Sequence, residues 1–162
     1  MAAVDYFLKI EGAPGESTDH KHKDEIDLLS FSFGASNAST FAFGGGGGAG
    51  KVQMTDFHFM MNVNKASPKL MLHCATGQHI KSALLCCRKA GKEQQEYLKV
   101  TFTDVMVTNF QTNGDAGANH LPSDSVSLAF GKIEWEYKIQ NPDGTLGAAL
   151  KTGYDLKQMK AS

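Results

Sequence analysis

The chain has few of the features that mark a membrane protein or a protein exported by the general pathway. The longest apolar run near a terminus is Tyr6-Phe7-Leu8, which is far too short to span a bilayer. Residues 1–5 lack the basic and apolar regions of a signal peptide. We therefore expect synthesis in the cytoplasm and no direct membrane insertion, so any release from the cell would need a dedicated machine.

Cysteine is also scarce, with three in 162 residues: Cys74, Cys86 and Cys87. An odd number is a poor disulfide framework, and neighbouring cysteines on a strand point to opposite faces. Cys74 and His73 lack the C-x-x-C partner that a zinc site would supply. We expect ordinary buried thiols, a reducing compartment and no metal or other cofactor.

No charge of one sign dominates the chain. Lys and Arg together number 16 and Asp and Glu 17, which gives a net charge of −1. A nucleic-acid binder normally has a basic surface with interleaved aromatic residues, so we expect no nucleic-acid partner. The length suggests a single domain, residues 1–162.

Glycine, in contrast, is concentrated in one run that ends at Lys51. The run is Gly44, Gly45, Gly46, Gly47, Gly48, Ala49, Gly50 and Lys51. Its spacing matches the phosphate-binding pattern G-x-x-x-x-G-K, which requires Ser or Thr next and then a helix. Val52 follows instead and begins a strand-like stretch that continues to Phe59, so we reject nucleotide binding. Composition alone favours a flexible connection over a loop that orders on a partner.

Elsewhere the apolar pattern predicts mostly strands. Apolar and polar residues alternate in residues 4–10, 29–33 and 98–103, which is typical of strands with one buried face. In the longest run, 125–139, the apolar positions change parity near Gly131. We expect a β-bulge or a sharp bend at that glycine, so that one strand serves two surfaces.

One short helix is predicted at residues 67–76. Ser67 can cap it, Pro68 suits the first helical position, and Gly77 can end it. A helix this short can cover one end of a barrel but cannot form a layer of its own.

Two further groups of polar residues are candidate sites. His20 and His22 could share a metal, but the lysines beside them disfavour a dication, and we expect a solvated loop. Asp56 and His58 share a strand parity and could form an acid–base pair, although no G-x-S-x-G nucleophile motif is present. We expect His58 to be an ordinary sheet residue and the protein not to be an enzyme.

Several motifs, found in order along essentially the whole chain, resemble the haemolysin-coregulated protein (Hcp) family, whose members form the tube of the bacterial type VI secretion system. They are Gly15-Glu16-Ser17, Glu25-Ile26-Asp27, Ser30-Phe31-Ser32-Phe33-Gly34, Ala49-Gly50-Lys51-Val52, Lys65 with Ser67-Pro68, Arg88-Lys89-Ala90-Gly91, Gln95-Glu96-Tyr97, Phe130, and Lys151 with Gly153. The resemblance implies a mainly β protein: a curled β-barrel of two sheets, one short helix at about 67–76 and an extended glycine-rich loop.

The resemblance also implies an assembly. Hexameric rings would stack head-to-tail into a tube, carry effector proteins in the lumen, and leave the cell when a contractile sheath acts on the tube and its tip spike. Residues 35–51 would then bridge neighbouring subunits, favoured between stacked rings. If Leu29, Phe31 and Phe33 face the core, Ser30 and Ser32 would line the channel or form a solvated face. A free small-molecule-binding barrel and an enzyme using Asp56 and His58 are the competing classes.

Overall fold

The computed structural model describes residues 4–39, 49–89, 94–117 and 120–162. Eleven strands and one helix are present in these ranges. In chain order they are β1 (Val4–Ile10), β2 (Ile26–Asp27), β3 (Ser30–Ser32), β4 (Ala35–Ser39), β5 (Ala49–Met54), β6 (Phe57–Asn62), α1 (Ser67–Thr76), β7 (His79–Lys89), β8 (Gln95–Asn113), β9 (Ser123–Gln140), β10 (Leu146–Asp155) and β11 (Lys160–Ala161). The prediction of a mainly β protein with one short helix is confirmed.

Nine strands form one antiparallel sheet, and β4 and β5 form a separate two-stranded sheet. The main path runs β11-β10-β9-β8-β7-β1-β2, while β3 and β6 extend from β9. The long strand β9 pairs with β6 through its first half and with β10 through its second half. It therefore belongs to two surfaces, as its change of apolar parity predicted.

The sheet curls around its core, so that its β1 side and its β6 side approach each other at residues 26–32. β2 pairs with β1, whereas β3, a few residues later, pairs with β6. Between them the Leu28 N–H donates to the Tyr6 carbonyl, and the Leu29 N–H donates to the Met60 carbonyl. No continuous ladder completes the barrel among the described residues. The enclosed core is rich in Phe57, Phe59 and Phe102, all fully buried.

In three neighbouring strands, the buried side chains change between even-numbered and odd-numbered residues at one row of the sheet, which contains Lys81, Asp104 and Gly131. In β7, for example, Ile80 is buried before this row and Ala83 is buried after it, and the same kind of change occurs in β8 and β9. Asp104 has φ 55°, a left-handed conformation that Asp tolerates better than most residues.

Of the two alternatives predicted at Gly131, a β-bulge or a sharp bend, the bulge is wrong. The pairing of β8 with β9 keeps one register across the Gly131 row. The register shift lies instead between Val107 and Asn109. The buried face changes in all three strands at the same row, so the strands stay paired in one register without an extra residue in β9.

The helix spans Ser67–Thr76, as predicted, and Gly77 ends it at φ 68° with its N–H donating to the His73 carbonyl. The predicted role of Ser67 as the cap is wrong, because Ala66 occupies the N-cap position. The Ser67 hydroxyl instead donates to the buried Asp124 carboxylate at 2.5 Å. Within the described ranges, this helix is far too short to be a membrane span.

Candidate functional site

The glycine run follows β4 and ends within β5 in the sequence, and these two strands pair as a hairpin that leaves the main sheet between Gly34 and Thr55. The Thr55 N–H donates to the Gly34 carbonyl at 2.9 Å, and the Gly34 N–H donates to Thr55 Oγ1 at 2.7 Å. These bonds close the base of the hairpin and split the strand expected at 52–59 into two. Ala49, Gly50 and Lys51 lie in β5, so a strand and not a helix follows the lysine. Residues Gly44–Gly48 lie outside the described residues.

The two predicted channel residues lie on a polar face of the sheet, here called the serine face. It consists of Ser30, Ser32, His58, Met60, Ser125 and Ser127, which are aligned across β3, β6 and β9. Ser30 and Ser32 are both exposed, while Phe31 between them packs against the core. The prediction that the serines lie opposite Phe31 is confirmed.

Leu29 does not face the core with Phe31, although the alternation predicts that it does. Its side chain is 55% exposed, whereas Leu28 is buried. The chain changes parity here because it leaves its pairing with β1 and joins β6. Leu29 is therefore a surface residue and does not belong to the core.

A row of exposed apolar side chains, here called the apolar strip, lies on the same face of β9 and β10 as the core, at the end of the sheet that the core does not cover. Its members are Trp135, Tyr137, Ile139 and Leu150, with exposed fractions of 38, 43, 52 and 60%. Tyr137 lies directly opposite Leu150 in the ladder. Contiguous apolar surface of this kind marks an interaction site more often than scattered apolar residues do.

A groove of about 430 Å³ adjoins the apolar strip at the base of the hairpin. Phe33, Met54, Trp135 and Tyr154 are among its lining residues. The Phe33 and Trp135 ring centroids lie 5.6 Å apart. The hairpin, the groove and the strip thus form one continuous region of the surface.

On the outer face of β1 and β7, a buried charge cluster holds the loop of residues 11–25. Arg88 is 3% exposed and its Nη2 donates to Asp19 Oδ2 at 2.8 Å and to Asp5 Oδ2 at 3.1 Å. Its guanidinium lies 4.7 Å from the centre of the Phe7 ring. The loop covers Phe7, which is why this residue is buried although it points away from the core.

His22 belongs to the same cluster and stacks on Phe7 with ring centroids 4.3 Å apart. Its Nδ1 lies 2.8 Å from Glu25 Oε2 and its Nε2 lies 2.7 Å from Glu96 Oε1. Each ring nitrogen of His22 therefore has one carboxylate oxygen within hydrogen-bond distance. The solvated loop predicted for His20 and His22 is confirmed for His20, which is exposed, and wrong for His22, which is buried.

The cluster shifts the pKa values of its members. The hydrogen bond from Arg88 holds the pKa of Asp19 well below its ordinary value of 3.8, despite burial. Burial acts to raise the pKa of Glu96, but hydrogen bonds with His22 and Lys99 outweigh it and the pKa is lowered. Burial, with Glu96 nearby, raises the pKa of the Cys86 thiol to about 12.

Asp56 and His58 do not form an acid–base pair, because each side chain has a different partner. Asp56 Oδ2 accepts from the Thr108 hydroxyl at 2.6 Å, and His58 Nδ1 lies 3.0 Å from Ser127 Oγ. His58 is thus part of the serine face and has a sheet neighbour as its partner. Cys86 and Cys87 are buried on opposite faces of β7, as expected, because only Cys87 belongs to the core.

Comparisons with known proteins agree over most of the chain. A family model described as "Type VI secretion system effector, Hcp" matches residues 7–137. Protein hcp1 of Pseudomonas aeruginosa is 46% identical over 158 residues, which is 96% of this chain and 97% of that protein. The crystal structure of Hcp1 from Salmonella typhimurium has a TM-score of 0.85 and 38% identity, and it covers 99% of this chain and 100% of its own. The structure of a type six secretion system protein, at 29% identity and the same coverages, has a TM-score of 0.94.

Proposed function

The chain belongs to the Hcp family of the type VI secretion system, and we propose that it forms hexameric rings that stack head-to-tail into the inner tube. Hcp proteins are secreted tube proteins of that system. The observation that carries the proposal is the apolar strip, a continuation of the core face that a single chain leaves in contact with water. A second copy would remove it from solvent.

The ring contact follows from symmetry. Identical subunits in a ring of six use two different patches, one on each side of the subunit, and the rotation closes the ring. The apolar strip supplies one patch at the end of the sheet formed by β9 and β10. Burying its four large side chains would contribute much of the association energy, since aromatic side chains dominate interface energetics.

Stacking of rings needs a second contact that repeats along the tube without closing. The β4–β5 hairpin suits this contact because it departs from the main sheet and carries the glycine run. Backbone groups of a segment without bulky side chains can pair with a neighbouring chain at close approach. The proposed contact residues are Gly44, Gly45, Gly46, Gly47, Gly48, Ala49, Gly50 and Lys51.

The serine face would line the channel and meet effector proteins. Ser30, Ser32, Ser125 and Ser127 offer small, uncharged hydrogen-bonding groups, which suit transient contact with varied cargo. From a cytoplasmic pool, tube and cargo would leave the cell when the sheath contracts, with the spike at the tip. This role requires no cofactor, catalysis or nucleic acid.

Native mass spectrometry and negative-stain electron microscopy test the proposal. The purified chain should appear as six copies, and rings should be visible. Deleting Gly45–Gly48 should leave six-copy rings but impair their stacking. A chain that stays monomeric at tens of micromolar would contradict the ring, and normal tubes from the deletion variant would contradict the role of the glycine run.

The groove beside the strip favours a second candidate, a free small-molecule-binding barrel. A volume of about 430 Å³ with mostly apolar lining is within the range of ligand pockets. A monomer that binds an apolar fluorescent probe at Trp135, with loss of binding in Trp135→Ala, would support this alternative over the tube.

A further inference from the structure

We propose that His22, Cys86 and Glu96 form a binding site for one zinc ion per chain. Among the described residues, these three bring a ring nitrogen, a thiol sulfur and a carboxylate oxygen within 4.8 Å of one another. The three residues come from the loop of residues 11–25, from β7 and from β8. Sequence spacing does not reveal the group, because Cys86 is 64 positions after His22 and lies on a different element.

The ligand types suit zinc. Zinc takes nitrogen, sulfur and oxygen ligands in a tetrahedral arrangement, with bonds that place neighbouring ligand atoms roughly 3.3–3.7 Å apart. His22 Nε2 and Glu96 Oε1 lie 2.7 Å apart, so they need to separate by a fraction of an ångström around the ion. A water molecule can complete the fourth position from the side of Glu96, whose side chain is 24% exposed.

The surroundings already orient the ligands. Glu25 Oε2 lies 2.8 Å from His22 Nδ1, so with that nitrogen protonated Nε2 presents its lone pair on the side of Glu96 Oε1. A carboxylate behind a metal-binding histidine is the usual arrangement in zinc sites. On the other side, Lys99 Nζ contacts Glu96 Oε2 at 3.2 Å, which leaves Oε1 for the metal.

Zinc binding releases the thiol proton of Cys86, because the thiolate and not the thiol is the metal ligand. The Cys86 thiolate and the Glu96 carboxylate then carry two negative charges, which balance the two positive charges of the ion. Because the thiol must lose its proton, zinc affinity should fall as the pH is lowered.

The test uses the full-length chain without an affinity tag, stripped with a chelator and titrated with zinc chloride at about pH 8. We expect saturable binding of one zinc per chain by calorimetry. Cobalt substituted for zinc should give a near-ultraviolet sulfur-to-cobalt charge-transfer band, which reports the thiolate directly. At about a hundredfold excess of free zinc over Kd, the melting temperature should rise by roughly 5–10 °C.

Variants assign the ligands. Cys86→Ser should weaken zinc binding by about 100-fold, because a hydroxyl is a much poorer ligand than a thiolate. Glu25→Gln should weaken it by about 10- to 100-fold through the orientation of His22. Cys74→Ser, which alters a thiol outside the cluster, should bind zinc like the unmodified chain and is the matched control.

Three results would overturn the proposal. They are absence of saturable zinc binding to the unmodified chain, a cobalt complex without the charge-transfer band, and a Cys86→Ser chain that binds zinc as tightly as the Cys74→Ser control. After any of these results, the cluster would be a hydrogen-bonded network that only fixes the position of the loop of residues 11–25. None depends on ring assembly, so the tube proposal stands or falls separately.

Discussion

Arg88 on β7 and Asp19 in the loop of residues 11–25 form a nearly buried ion pair, with Nη2 2.8 Å from Oδ2. The Arg88 side chain is 3% exposed and that of Asp19 16%. The same nitrogen also reaches Asp5 on β1. A single guanidinium therefore joins the first strand, the seventh strand and the loop that covers Phe7.

We predict that Asp19→Asn lowers the free energy of unfolding by about 2–3 kcal/mol, because a buried guanidinium loses an ionised partner. Asn can still accept from the Lys21 and His22 N–H groups through Oδ1, so the local turn is kept. The control is Asp24→Asn, which removes an exposed 3.7 Å ion pair with Lys65 and should change stability by less than about 0.5 kcal/mol. Urea unfolding measures both. Equal effects of the two variants would contradict the prediction.

The contribution of this pair should depend on pH. The pKa of Asp19 lies well below 3.8 in the folded chain, so the unfolded chain takes up the proton first as pH falls. The pair thus stabilises the fold at pH values above the unfolded pKa and loses that effect in acid. The difference between unmodified chain and Asp19→Asn should be constant at neutral pH and shrink from about pH 5 to about pH 2. If the difference in unfolding free energy between the two chains grows as the pH falls, the prediction is wrong.

Local features of the fold could be predicted from the sequence because they depend on neighbouring residues. Pro68 and Gly77 define the helix, and Val52 after Lys51 excludes the phosphate-binding loop. The alternation at 98–103 predicts a strand with one buried face, and Val100 and Phe102 are indeed fully buried.

The features that sequence reasoning missed depend on contacts between distant residues. His22 is buried and lies within hydrogen-bond distance of Glu96, which is 74 positions away in the chain. Ser67 bonds Asp124 instead of capping its helix, because that carboxylate comes from β9. Phe7 is covered by a loop whose position is set by Arg88. No local pattern contains this information.

Gly15 should be the glycine of the loop least tolerant of substitution. A Cβ there would lie 2.5 Å from the Glu25 carbonyl oxygen and 2.8 Å from the Ile26 Cα. Since both are backbone atoms, Gly15→Ala should cost about 2–4 kcal/mol by pushing the loop away from β2. Gly34→Ala is the control, because its Cβ meets only Thr55 Oγ1 at 3.9 Å. Thermal unfolding compares them, and a neutral Gly15→Ala would show that the loop can shift freely.

For the serine face, we predict that Ser32→Gln preserves ring assembly and lowers effector retention in a pull-down about tenfold, equivalent to about 1.4 kcal/mol. The larger side chain would extend from an exposed position into the space where cargo binds. Thr18→Gln, an exposed change on the loop of residues 11–25, should retain effectors normally. Unchanged retention by Ser32→Gln would mean that the serine face is only a solvated side of the sheet.

Leu150→Glu should separate assembly from folding. Leu150 is 60% exposed in one chain, so a charge there should change the stability of the monomer by less than about 0.5 kcal/mol. In the proposed ring the same carboxylate would be buried against apolar surface, at a cost of several kcal/mol at each of six contacts.

Native mass spectrometry should therefore find mainly monomers of Leu150→Glu, with circular dichroism and melting temperature close to those of a folded chain. Leu121→Glu is the matched control, since Leu121 is 66% exposed and precedes the first residue of β9, outside the apolar strip. It should retain six copies. If Leu150→Glu also retains six copies, the apolar strip faces solvent in the ring and the contact must use another surface. If both variants become monomeric, the strip is not specifically required.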